Sequence, residues 1–195
     1  MELKRGIDMN GHAIYVAGYF EDKCENKLTE YATELKKQNV ILTSHNLSGE
    51  LYQSVFDFMD LEKIGFGYEL VRTFIYSGAY DLLKYWILKL WNILQNKESS
   101  PCPFTIEIEG IPTINGTENI KCKITGELSE EQKTDVIDKT FALTQKITDN
   151  QFQLMERSIY YAAFNAHVFK YDLHKDEYIE MDIPKEVERI RNKEK

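Results

Sequence analysis

The segment from Ala79 to Gln95 constrains this chain more than any other. Tyr80, Leu82, Leu83, Tyr85, Trp86, Ile87, Leu88, Leu90, Trp91, Ile93 and Leu94 leave only a narrow polar stripe of Asp81, Lys84, Lys89, Asn92 and Gln95. A helix that is apolar over most of its circumference has to be surrounded, either between layers of its own fold or by a partner across an outer face. Tyr80, Trp86, Leu90 and Trp91 are the residues expected to carry such an interface. The segment carries three charges in 17 residues. That is too short and too polar for a membrane span, which needs roughly 20 mostly apolar positions.

The flanking sequence supplies the layers. His12 to Phe20 is rich in β-branched and aromatic residues and is followed by Glu21 and Asp22, which suit a first helical turn. Cys24, Leu28, Tyr31, Ala32 and Leu35 then recur at three and four spacing, and Val40 to Ser44 is a short apolar run. Residues 12 to 44 therefore read as a strand, helix and strand in one βαβ-like unit. From the loop at Ser44 to Gly49 onward the periodicity is helical, with breaks expected at Gly65-Phe-Gly67 and Ser77-Gly78.

Phe104 to Ile108 and Ile120 to Ile124 alternate apolar and polar residues around Asn115-Gly116, which reads as a hairpin. Ser129-Glu-Glu-Gln132 has the form of a capping box opening a helix through Leu143. A further helix is expected over 150 to 166, a closing hairpin from Val168 to Met181, and a charged terminal helix or frayed end from Pro184 onward. The order predicts an α+β or α/β fold, a small mixed sheet covered by helices. One domain over 1–195 is the expectation, with a possible subdomain break at 96–101, where Asn96-Lys-Glu-Ser-Ser-Pro101 shifts the composition.

Charge narrows the partners. Net charge is -8 among 195 residues, which disfavours non-specific nucleic-acid binding, since that affinity comes from clustered Lys and Arg. Residues 97 to 138 hold nine acids against four bases, a surface that would steer a partner with a basic face. The N-terminus lacks the apolar region of a secretory signal, and the three cysteines (Cys24, Cys102, Cys122) show no CxxC spacing. A cytoplasmic protein is expected, without a disulfide framework.

Candidate chemistry is sparse. The glycine pair at 65 and 67 lacks the third glycine of a dinucleotide fingerprint and the Lys-Ser/Thr of a phosphate loop. His12, His45, His167 and His174 form no metal-binding spacing, so no metal or cofactor is expected. Cys24 lies in a first helical turn, where a thiol can be activated, but Glu21, Asp22 and Glu25 oppose that effect. The loop from Ser44 to Glu50 follows a strand of the βαβ unit, where α/β folds place ligands. There His45 could act as a general base on Ser44 or Ser48, with acids such as Asp57 or Glu69 brought in by folding. Helix capping and turn formation by the same residues compete with that reading.

The expectation is a cytoplasmic, non-enzymatic interaction or regulatory protein, an adaptor, inhibitor or assembly subunit. It would act through the apolar helix and the acidic surface on a protein partner or a second copy. A small hydrolase or nucleotide-processing enzyme at the Ser44 to Glu50 loop is the alternative.

Overall fold

The computed structural model describes residues 12–18, 22–47, 62–95, 103–157 and 161–193. The N-terminal unit forms as its pattern dictates. Strand β1 (Ala13–Gly18) pairs in parallel with β2 (Ile41–Asn46). Helix α1 (Asp22–Lys36) joins the two. Strand β3 (Glu62–Gly67) lies antiparallel to β1 on its other side. Helices α2 (Tyr68–Tyr76) and α3 (Tyr80–Leu94) then lead to β4 (Phe104–Thr113), parallel to β3.

Strand β5 (Gly116–Ile124) completes a hairpin with β4, and helix α4 (Glu130–Thr148) and the short α5 (Tyr161–Phe164) lead to β6 (His167–Asp172), parallel to β5. A closing hairpin to β7 (Glu177–Glu180) and a terminal helix α6 (Ile183–Lys193) end the order. The result is one mixed sheet, ordered β2-β1-β3-β4-β5-β6-β7, with helices packed on it. Each parallel pair is bridged by helix, because parallel neighbours require a crossover longer than a tight turn.

Strand periodicity separates the two faces of the sheet. Val16, Ile64, Ile106, Cys122 and Phe169 stand in one row across five strands. All of them are buried in the main core together with residues of α1 to α4. One residue along each strand the side chains emerge on the other face, as a period of two demands. There Ala17, Lys63, Thr105, Lys123 and Lys170 form a row, beside Tyr15, Gly65, Glu107, Lys121 and Val168. Glu107 sits between Lys63 at 3.3 Å and Lys121 at 3.8 Å, which pairs these three charges on the face. Helix α6 packs at the β6 end of it, with Ile183 and Val187 against Phe164, Val168 and Met181.

Several sequence expectations change. Gly65-Phe-Gly67 breaks no helix but closes β3, where Ile64 and Phe66 point into the core and alternate with Lys63 and Gly65. The glycines mask this alternation, since glycine weakens the strand signal. No helix spans 150 to 166. Asp149 caps α4, Asn150 adopts a left-handed φ of 56°, and residues 151–157 run irregularly to α5. Polar residues tolerating that conformation commonly end helices. The β4–β5 turn centres on Ile114-Asn115, with Thr113 opposite Gly116, one residue before the expected Asn-Gly. The composition break at 96–101 falls outside the described residues, although β3 and β4 on either side of it are paired neighbours.

Candidate functional site

The structure separates Ser44 from His45. Strand β2 continues through Asn46, so Ser44 and His45 are successive strand residues, registered to Val16 and Ala17, and project from opposite faces. Their side chains therefore diverge, which corrects the reading of a hydroxyl activated by the adjacent imidazole. Ser48, Glu50 and Asp57 lie outside the described residues. Glu69 sits in the first turn of α2 and pairs with Arg72 at 3.0 Å.

The apolar helix is absorbed by the fold itself, contrary to its expected role as an interface. Trp86, Leu90 and Trp91 are 2%, 0% and 1% exposed. Trp91 stacks on Phe104 of β4 with centroids 4.2 Å apart, and Trp86 meets Phe74 of α2 edge-on at 5.1 Å. Tyr80 is half-buried against Phe141 of α4, and its hydroxyl donates to Asp138. Burial first, then that carboxylate, pushes its phenol above the ordinary range. The sheet lies on one side of α3 and helices α1, α2 and α4 contact its flanks, so little of its circumference remains outside.

What stays outside is a different set. Ile75 and Tyr76 end α2, and Leu82 and Tyr85 lie three apart on the outer side of α3. Tyr76 is 80% exposed, and Ile75, Leu82 and Tyr85 are also classed among the exposed large apolar side chains. These residues flank the Ser77-Gly78 turn, where Gly78 takes a φ of 73° that favours glycine. The Asp81 side chain beside them is 97% exposed.

A second arrangement is built where β5, β6 and β7 end. In β4, Glu109 and Gly110 together oppose Asn119, a bulge between the Ile108–Ile120 and Ile111–Glu118 pairs. Gly110 has a φ of 71°, and its N–H donates to Asn119 Oδ1 at 2.9 Å. Asn119 Nδ2 in turn donates to the Asn165 carbonyl at 3.0 Å, which holds the start of β6 beside β5. Glu118 shares the helix-facing side of β5 with Ile120, whose partner across the strands is His167.

His167 thus stands between two carboxylates. Its Nδ1 lies 2.7 Å from Glu180 Oε1 of β7, and its Nε2 lies 3.4 Å from Glu118 Oε2. All three side chains are nearly closed to solvent. Residues from the irregular segment and α5 complete the cluster. Arg157 reaches Glu118 Oε1 at 2.8 Å, Tyr161 donates to Glu118 Oε2 at 2.8 Å, and the Met155 N–H donates to Glu180 Oε2 at 3.0 Å. Burial alone would raise the Glu118 carboxyl, but the Arg157 and Tyr161 hydrogen bonds and the charges of Arg157 and His167 hold it below the usual range. The same burial and the Glu118 bond push the Tyr161 phenol up.

The imidazole is hydrogen-bonded to Glu180 through Nδ1, while its Nε2 faces Glu118 at ion-pair distance. Among the described residues no group of three or more His, Cys, Asp or Glu side chains is placed to hold a metal. A cavity of about 350 Å³ opens beside the cluster, with His167, Tyr161, Arg157 and Glu180 in its wall. None of this was assembled from the sequence. The available signal was parity, since Glu118, His167 and Glu180 occupy helix-facing positions in strands whose other residues at that parity are Ile120, Phe169 and Tyr178.

Comparison of the chain with known protein families, with curated proteins and with solved structures finds no match to any of them.

Proposed function

We propose that this chain is a non-enzymatic interaction protein, an adaptor, inhibitor or assembly subunit, whose docking face is the outer side of the α2–α3 hairpin. The observation that carries the reading is Tyr76, 80% exposed beside Ile75 and Leu82 at the hairpin turn. Exposed large apolar side chains gathered in one place are informative, whereas scattered ones are not. Tyrosine contributes disproportionately to contact energy once a partner covers it.

The fitting partner is a protein surface apolar at its centre and basic at its rim. Asp81 projects into solvent beside the patch, and the chain carries a net charge of -8. That charge favours encounter with a basic face and opposes nucleic acid. Among the described residues no helix is long and apolar enough to cross a membrane. Cys24 and Cys122 are thiols, which supports a reducing compartment and hence the cytoplasm.

The test is a photo-reactive residue introduced in cells at Tyr76, with a control at Lys146 on the exposed side of α4. A discrete protein adduct from position 76 and none from 146 is expected. Equal labelling from both positions, or none from position 76, would overturn the proposal.

A further inference from the structure

The cavity beside His167 is independent of the hairpin, and its chemistry points to a ligand class. We propose that it binds a small organic cation, a primary ammonium on an apolar or aromatic body, with Glu180 as the anchoring carboxylate. At about 350 Å³ it falls at the lower end of the range in which small-molecule pockets occur, roughly 300–1,000 Å³. Its walls are apolar over about half of their extent, with Met155, Phe164, Val168, Met181 and Ile183 among the lining residues.

The charged groups of the wall favour a cation. Glu156, Glu180 and Asp182 line the cavity against two basic side chains, Arg157 and His167. The guanidinium of Arg157 already serves Glu118. It forks onto Glu118 through Nε at 3.3 Å and Nη2 at 2.8 Å and lies over the Tyr161 ring, 4.6 Å from its centre. An anionic ligand would therefore meet three carboxylates in the wall and compete with Glu118 for the guanidinium.

Glu180 is the opposite case. Its side chain is 6% exposed, held by His167 on one oxygen and by the Met155 N–H on the other. A carboxylate has about four lone-pair positions, so these two bonds fix its orientation and leave acceptor capacity on each oxygen. A buried, oriented carboxylate in a wall that is also partly apolar suits an ammonium group on an apolar body. His167 and Met155 are positioning residues here, because they act on the ligand through Glu180.

Three probes of matched size test the proposal by calorimetric titration of the full chain: phenethylamine, 2-phenylethanol and 3-phenylpropionate. Phenethylamine is expected to bind saturably, at least tenfold tighter than the alcohol, with the carboxylate weakest. Glu180→Gln removes the preference for the amine over the alcohol, and Ile183→Trp, which fills the cavity and leaves Glu180 in place, abolishes binding of both. Equal or tighter binding of 3-phenylpropionate to the wild-type protein, or no saturable binding of phenethylamine, overturns the assignment. The wild-type series decides the matter even where a variant fails to fold.

Discussion

Glu118 ties separate parts of the chain together at the C-terminal half of the sheet. Its carboxylate receives Arg157, Tyr161 and the imidazole edge of His167 from three different parts of the chain. Glu118→Gln keeps the shape and removes the charge, leaving the buried imidazole and the half-exposed guanidinium without their carboxylate. The expected cost is about 1–3 kcal/mol in urea unfolding at pH 7. The pH dependence follows from the direction of its shift. A carboxyl held below its unfolded value, about 4.3 for glutamate, contributes fully above that value and loses its contribution as pH falls through the folded one. The gap between wild type and Glu118→Gln should narrow below about pH 4. A gap that persists unchanged at pH 3 would show that the charge of Glu118 contributes nothing.

At the scale of elements, the local rules that were strongest in sequence are the ones the structure follows. Ser129 accepts from the Gln132 N–H at 3.2 Å while Gln132 Oε1 accepts from the Ser129 N–H at 2.9 Å, so the capping box forms in full. Ser129→Ala should cost about 1 kcal/mol in unfolding. The β4–β5 bulge carries a comparable local demand, because a side chain at the positive φ of Gly110 is strained by roughly 1–2 kcal/mol. Gly110→Ala should therefore destabilise by about that amount, and equal stability would show that the bulge relaxes freely. The elements missed in sequence share a cause. Lys63-Ile-Gly-Phe-Gly67 carries its alternation through glycines, and residues 151–157 have an apolar pattern, Phe152 and Leu154 packed on the core, without the hydrogen bonds of a helix. Periodicity registers which side chains are buried, and it is silent on the backbone that delivers them when the run is short.

At the scale of the whole molecule, the apolar surplus of α3 was legible and its destination was not. Trp86, Leu90 and Trp91 had to be covered, but only the arrangement of β3 and β4 under α3, with α2 and α4 beside it, shows that the chain covers them itself. The candidate sites were illegible for a related reason. Glu118, His167 and Glu180 are separated by long stretches of sequence and meet only through the strand order β5-β6-β7. Ser44 and His45 read in sequence as loop residues after a strand, but β2 continues through both, and in a strand adjacency is what separates them.

The division between an inward α3 and an outward hairpin turn is the central claim, and two variants test it together. Trp91→Ala should lose about 3–5 kcal/mol of stability, as truncation of a buried aromatic does. Tyr76→Glu, at an exposed position, should stay within about 0.5 kcal/mol of wild type. The decisive measurement is the yield of the protein adduct from a photo-reactive residue at position 82, in wild-type and Tyr76→Glu backgrounds, with urea unfolding of each variant beside it. The account predicts at least a tenfold loss of adduct in Tyr76→Glu at an unchanged unfolding midpoint. An unchanged yield, or a midpoint that falls as far as that of Trp91→Ala, would contradict it.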